Sequence, residues 1–228
     1  MVTVRTLLVV VVHHNWHIAQ LDINNAFLHG DLHEEVYMNL PPRYTHRSTL
    51  SQPVCKLQKS LYGLKQANRQ WFIKLTTFLL HHSFTQIYVD TSLLTYRKGT
   101  DFLAILIYVD DILLTGNNIT LIQYFKKQRD LTFSIKDLGN LNYYLGIEFL
   151  RNSKGLTMSQ RKYALQLLQT ANVLNLKPCH IHVDPIVKLN DTDGEPLNNP
   201  SLYRAIFGKL LYLTITRPDL SYVAHALS

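Results

Sequence analysis

The sequence predicts an α+β fold, because hairpins of short apolar strands are mixed with amphipathic helices. No internal repeat or low-complexity tract competes with that reading. The chain has 228 residues, 46% of them hydrophobic and 17% charged, which excludes whole-chain disorder. A chain of this length buries about 70% of its unfolded surface and needs no disulfide staples.

The elements follow in order. Residues 3–15 are rich in Val and Leu and suit a strand by propensity, yet so long a run without alternation also suits a buried helix. Residues 17–23 alternate as a strand that carries Asp22 near its end. Residues 34–40 and 54–61 read as short strands separated by the Pro41-Pro42 break. Gly63 opens a helix whose Ala67, Trp71, Leu75, Phe78 and Leu79 share one face, with Lys65 and Arg69 one turn apart near its start. Strands are expected at 93–97, 102–109 and 112–115, with Lys98-Gly99 as a turn, and a helix at 119–133. A second hairpin, 142–150 with 156–159, turns about Ser153-Lys154-Gly155. Ala164, Leu167, Leu168 and Ala171 mark an amphipathic helix that Ser159 can cap. Residues 190–200 are polar and full of breakers, a linker before a last helical region at 203–213.

Composition narrows the function classes. Lys and Arg number 23 against 16 Asp and Glu, for a formal net charge of +7 and a pI near 9.3. That excess favours a polyanion, most often nucleic acid, although a basic protein without such a partner is the plain alternative. Cys55 and Cys179 are too few for a disulfide framework, a four-cysteine zinc site or an iron–sulfur cluster. The longest apolar run, residues 7–12, is far short of the roughly 20 residues that span a bilayer, and it makes a poor signal peptide. The sequons at Asn118 and Asn190 therefore carry little weight. The expectation is an intracellular protein, cytoplasmic or nuclear, with no membrane partner.

The chemistry concentrates in Tyr108-Val109-Asp110-Asp111, two adjacent acids between apolar strands where a two-residue hairpin turn belongs. Such turns favour Asn-Gly or Asp-Gly, so two carboxylates without glycine point toward function. Close carboxylates repel, and one takes up a proton unless a cation neutralises them. Mg²⁺, a hard cation bound through carboxylates and phosphate oxygens, fits that need. An ordinary solvent-exposed acidic turn is the bland reading. If the strand ending in Asp22 lies beside this hairpin, the acids can bridge two metals about 4 Å apart and drive phosphoryl transfer.

The surrounding words carry a resemblance. Residues 20–30 (QLDINNAFLHG), 60–66 (SLYGLKQ) and 108–111 (YVDD) occur in order, followed by 135–139 (IKDLG), 144–148 (YLGIE), 156–164 (LTMSQRKYA) and 212–219 (YLTITRPD). Together they resemble the reverse transcriptase domain of Ty1/copia-type retrotransposons over nearly the whole chain. The resemblance implies an RNA- and DNA-templated DNA polymerase built as a right hand. Residues 1–158 would be palm with partial fingers, 159–189 a thumb-like segment, and 201–228 the start of a connection region. It implies two Mg²⁺ ions, or Mn²⁺, held by Asp22 and Asp110 with Asp111 as third acid and Ile23 as a further ligand position. The primer 3′ hydroxyl would attack the α-phosphate of a dNTP. Phe27 would be the steric gate against a ribose 2′-OH, although a core aromatic is its plain reading. Gly63, Lys65 and Gln66 would line the nucleotide, and Lys136 would protonate the leaving pyrophosphate. Arg69, Tyr144, Gly146, Arg161 and Lys162 would meet the template–primer duplex.

The departures are also specific. The family carries an upstream Lys- and Arg-bearing segment that clamps the triphosphate, and the chain starts too late to contain it. Ribonuclease H, integrase and protease parts of the polyprotein are expected to be absent. Asn68 stands where the family usually has proline. Cys179-His180-Ile181-His182 is too tight for three tetrahedral ligands, and His13, His14 and His17 read as surface histidines. A working polymerase domain and an inactive remnant that keeps the palm fold are the two readings left open.

Overall fold

The computed structural model describes residues 1–44, 53–178, 195 and 197–227. Cys179, His180 and His182 therefore lie outside the described residues, as does most of the expected linker. The chain divides into two units, Met1–Leu141 and Asn142–Ser228.

The first unit opens with helix α1, Val2–His13. Of the two readings of this Val-rich run, the helix is the one observed. Its buried residues, Val4, Leu7, Leu8 and Val11, recur at helical spacing, while Val2 and Val9 face solvent. Strand β1, His17–Ile23, follows. The two strands expected next are shorter than the sequence suggested: β2 is Tyr37–Asn39 and β3 is Val54–Lys56, paired with each other. Helix α2, Ala67–His81, begins four residues after Gly63, whose φ of 96° makes it a turn residue. Lys65 thus precedes the helix instead of lying on it.

Strands β4 (Thr85–Gln86), β5 (Leu93–Lys98), β6 (Asp101–Tyr108) and β7 (Asp111–Gly116) come next, then α3 (Ile119–Phe133) and β8 (Ile135–Asn140). Asn118 starts α3: its Oδ1 accepts from Leu121 N–H at 3.1 Å. Six strands form one antiparallel sheet in the order β4-β5-β6-β7-β1-β8. Strands β4 and β8 were not anticipated from sequence. Alternation sends Leu21, Ile23, Leu103, Ile105, Ile107, Ile112 and Leu114 to one face, where Trp71, Leu75 and Leu79 of α2 and Ile122, Phe125 and Phe133 of α3 close the core. Each such side chain contributes about 1.5–3 kcal/mol by leaving water.

The second unit contains β9 (Tyr143–Tyr144), β10 (Ile147–Asn152) and β11 (Gly155–Ser159) in one antiparallel sheet. Helix α4 is Arg161–Thr170. Its N-cap is Gln160, which makes no side-chain cap bond, so Ser159 is the last strand residue and not a cap. Helix α5, Pro200–Leu213, starts with Pro at its first turn, and Asn199 Oδ1 accepts from Leu202 N–H at 3.3 Å. Pro200 therefore belongs to the helix, not to a linker. A short α6, Ser221–Ala226, ends the described chain. Among the described residues no helix is long and apolar enough to cross a membrane.

Candidate active site

Strand β1 lies between β7 and β8, and that position builds the site. Asp22 stands opposite Asp111 of β7 on one side and opposite Lys136 of β8 on the other. Directly opposed residues hold their Cβ atoms about 4.5–5.5 Å apart. Because Leu21 and Ile23 point into the core, Gln20 and Asp22 share the other face. Ile23 is buried, and its N–H donates to the Asp110 carbonyl at 3.0 Å.

Asp110 and Asp111 are not the two central residues of the turn, as the sequence suggested. Tyr108 pairs with Asp111, so the central pair is Val109-Asp110, and Asp111 already belongs to β7. The positive φ this turn needs falls on Val109, at 57°. A β-branched residue rarely adopts that conformation, at a cost of about 1–3 kcal/mol. Two bonds hold the strained turn. Trp71 Nε1–H donates to the Val109 carbonyl at 2.7 Å, and Ile23 N–H holds Asp110.

Burial, then the charges of Asp110 and Asp22, raise the Asp111 carboxyl above its ordinary value, while a bond from the Gln20 side chain pulls the other way. Among the described residues no Lys, Arg or His forms an ion pair with Asp22, Asp110 or Asp111. Lys136 faces Asp22 across the ladder without closing one. Three hard carboxylates without a counter-cation suit Mg²⁺ or Mn²⁺. No three His, Cys, Asp or Glu side chains among the described residues converge as a protein cage.

Phe27 sits on a one-turn 3₁₀ helix, Ala26–His29, after Asn25 at φ 52°. It is half-buried against the core, and its ring centroid lies 4.5 Å from that of Tyr62. Burial, then the charges of Asp110 and Asp22, push the Tyr62 phenol up. Gly30 lets the 3₁₀ turn approach α2: an added Cβ would lie 3.2 Å from both Gln70 Cβ and Trp71 N. Lys65 and Arg69 are exposed, and Gln66 Nε2 donates to Glu34 Oε1 at 2.5 Å. Asn68 lies in the first turn of α2 and is exposed. Asp31 bonds to both Lys59 and Lys74, Lys59 first, and its carboxyl is lowered to about 2.

Tyr144, Gly146, Arg161 and Lys162 belong to the second unit. Tyr144 is only 1% exposed, so its side chain is a core group of that unit. Leu145 and Gly146 carry φ of 50° and 75°, the two-positive turn that joins β9 to β10. The Tyr212 hydroxyl donates to the Leu145 carbonyl. Arg161 and Lys162 are exposed at the start of α4, with Lys162 Nζ 5.7 Å from the Tyr143 ring centroid. Sequence reasoning missed Gln20, Tyr62 and the hydrogen-bonding role of Trp71. Nothing local in the sequence marks these roles, which depend on what folding sets beside each residue.

Comparison with known proteins bears on the family. The family described as reverse transcriptase (RNA-dependent DNA polymerase) matches residues 1–187. The chain is 44% identical over 226 residues to the Retrovirus-related Pol polyprotein from transposon RE1 of Arabidopsis thaliana, covering 99% of this chain and 15% of that protein. Identity to the polyprotein from transposon RE2 of the same plant is also 44%, over 99% of this chain and 16% of that protein. The polyprotein from transposon TNT 1-94 of Nicotiana tabacum is 35% identical over 100% of this chain and 18% of its own length. The chain thus spans under one-fifth of these curated relatives. No solved structure matches it. The chain belongs to the reverse transcriptase family, in the Ty1/copia-type branch that its sequence blocks resemble.

Proposed function

We propose that this chain is an RNA-directed DNA polymerase domain that extends a DNA primer on an RNA or DNA template by nucleotidyl transfer. The observation that carries the reading is the meeting of Asp22 on β1 with Asp111 on β7 and with Asp110 in the turn before it, none of the three ion-paired among the described residues. On this reading the six-stranded sheet with its helices is the palm, the segment from Phe27 through α2 supplies part of the fingers, and α4 begins the thumb. The rest of a Pol polyprotein would be its covalent neighbour, and the work would be done inside the cell.

Asp22 and Asp110 would hold two Mg²⁺ ions, Mn²⁺ substituting, with Asp111 as the third acid and the Ile23 backbone as the further ligand. When bound, the ions supply Lewis acidity at the attacking and leaving oxygens. The chain's own residues then orient the reactants. Phe27, braced by the Tyr62 ring, closes the space a ribose 2′ oxygen would need. Gly63, Lys65 and Gln66 line the nucleotide and its phosphates. Lys136, opposite Asp22, delivers a proton to the departing pyrophosphate oxygen. Arg69, Arg161 and Lys162 meet backbone phosphates, and the turn at Gly146, built on the buried Tyr144, presents backbone to the primer.

The experiment is Mg²⁺-dependent extension of an oligo(dT) primer on poly(rA), comparing the chain with Asp110→Asn. Extension is expected from the former and not from the latter, with duplex binding kept by both. A folded chain that binds duplex but extends nothing would establish the non-catalytic reading instead.

A further inference from the structure

We propose that Trp71 is a positioning residue for nucleotidyl transfer: its indole N–H holds the Val109 carbonyl and so fixes the turn that carries Asp110. The inference rests on the polymerase reading and deepens it.

The turn is held where it is strained. Val109 has φ 57°, a conformation a β-branched residue keeps only when its surroundings impose it. The restraint comes from a distant element. Trp71 lies on α2, is fully buried, and donates to that carbonyl at 2.7 Å. Trp71 is itself immobilised. Phe133 packs edge-on at 5.5 Å between ring centroids, His29 lies at 5.7 Å, and the Gly30 turn presses on the helix backbone at the same residue. Ile23 grips the next carbonyl, that of Asp110, at 3.0 Å. Two elements thus hold successive carbonyls of one turn, and the acid leaves from between them.

Phenylalanine keeps an aromatic ring there but lacks the donor, and it is smaller than the indole. The indole differs by supplying one N–H to a carbonyl that the strained turn cannot pair by itself. A displacement of about 1 Å at a reacting group can lower a rate on the order of a hundredfold, so a turn free to relax would matter.

The test compares the full chain with Trp71→Phe. Amide hydrogen exchange over residues 107–112 should accelerate, while exchange over β10 and β11 stays as it was. Mn²⁺ affinity, read by electron paramagnetic resonance, should fall about tenfold, as loss of one buried hydrogen bond implies. In primer extension kcat should fall about tenfold, with KM for the nucleotide within about twofold. A folded variant with unchanged exchange over 107–112 and unchanged Mn²⁺ affinity overturns the proposal. Should Trp71→Phe not fold, the indole N–H resonances of Trp16 and Trp71 are followed in the unaltered chain during Mg²⁺ titration. Linkage is reciprocal, so the Trp71 resonance must move with Mg²⁺ and the Trp16 resonance must not. A Trp71 resonance indifferent to bound Mg²⁺ overturns the proposal equally. Asp110→Asn separates the two failures. Absence of any Asp110-dependent Mn²⁺ binding or extension in the unaltered chain refutes the polymerase reading, and with it any role of Trp71 in transfer. Exchange over 107–112 reports the restraint on the turn either way.

Discussion

Replacing Asp111 by asparagine should stabilise the metal-free protein at neutral pH. Asp111 stands in register with Asp22, so the two Cβ atoms lie about 5 Å apart. Two carboxylates at that distance repel by about 1–3 kcal/mol for effective dielectrics between roughly 80 and 20. The site is only half-buried, which places the gain near the lower limit, about 1 kcal/mol. Asparagine keeps an oxygen for the Gln20 side chain, so that bond survives. The sign follows from linkage. The folded Asp111 carboxyl binds its proton more tightly than the unfolded one, so native stability falls as pH rises from about 3.8 through the raised folded value. The variant escapes that loss. In thermal melts at pH 7 with EDTA it should unfold about 2–4 °C higher, and the gap should close below pH 3.8. Mg²⁺ should reverse the order, because a ligand at a hundred times its Kd adds about 2.7 kcal/mol to the chain that binds it. A metal-free variant that melts lower at pH 7, or a gap that survives at pH 3, would refute charge repulsion as the cause.

Phe27→Ala, and to a lesser degree Tyr62→Ala, should let ribonucleotides be incorporated more readily; unchanged sugar selectivity in primer extension would remove both from the gate. Asp31→Asn should cost less than about 1 kcal/mol in urea melts, since both lysines are exposed and screened. That contribution is present above the ordinary aspartate pKa, is lost as pH falls toward about 2, and should vanish in 1 M salt. Gly116→Ala should lower the urea midpoint by about 1–3 kcal/mol of stability, because its Cβ would collide with the Phe102 carbonyl oxygen and lie 2.6 Å from Leu103 Cδ2.

Much of this was legible in the sequence because it is local. The β6–β7 hairpin is two apolar runs around a short turn, and α3 spans the residues its pattern indicated. Its N-cap, Asn118, had looked only like a sequon. Residues 3–15 were ambiguous because an unbroken Val and Leu run carries neither period. Only the burial of Val4, Leu7, Leu8 and Val11 separates helix from strand. Strand β8 was illegible because Ile135–Asn140 exposes five of its six residues and is held by its ladder to β1. The central pair of the acidic turn was misplaced by one residue, since register depends on Tyr108 facing Asp111 across two strands. The bond from Trp71 to Val109 joins residues 38 apart, and no periodicity reports such a contact. At the site itself, Asp22, Asp110 and Lys136 were singled out, while Gln20 and Tyr62 matter only through what folding sets beside them.

The place of β1 between β7 and β8 has a consequence for synthesis on the ribosome. Its first partner begins at Asp111 and its second at Ile135, so the strand bearing Asp22 waits while about half of the 228 residues are made. At about 5–20 residues per second, that wait is on the order of ten seconds. The β5-β6-β7 meander can close meanwhile, because its neighbours are consecutive. Until β1 joins it, the nascent meander presents β7 as an open edge, available to chaperones or to a neighbouring nascent chain. Insertion of β1 closes that edge and brings the acids together in one event, so an unassembled sheet and an unassembled site are the same species.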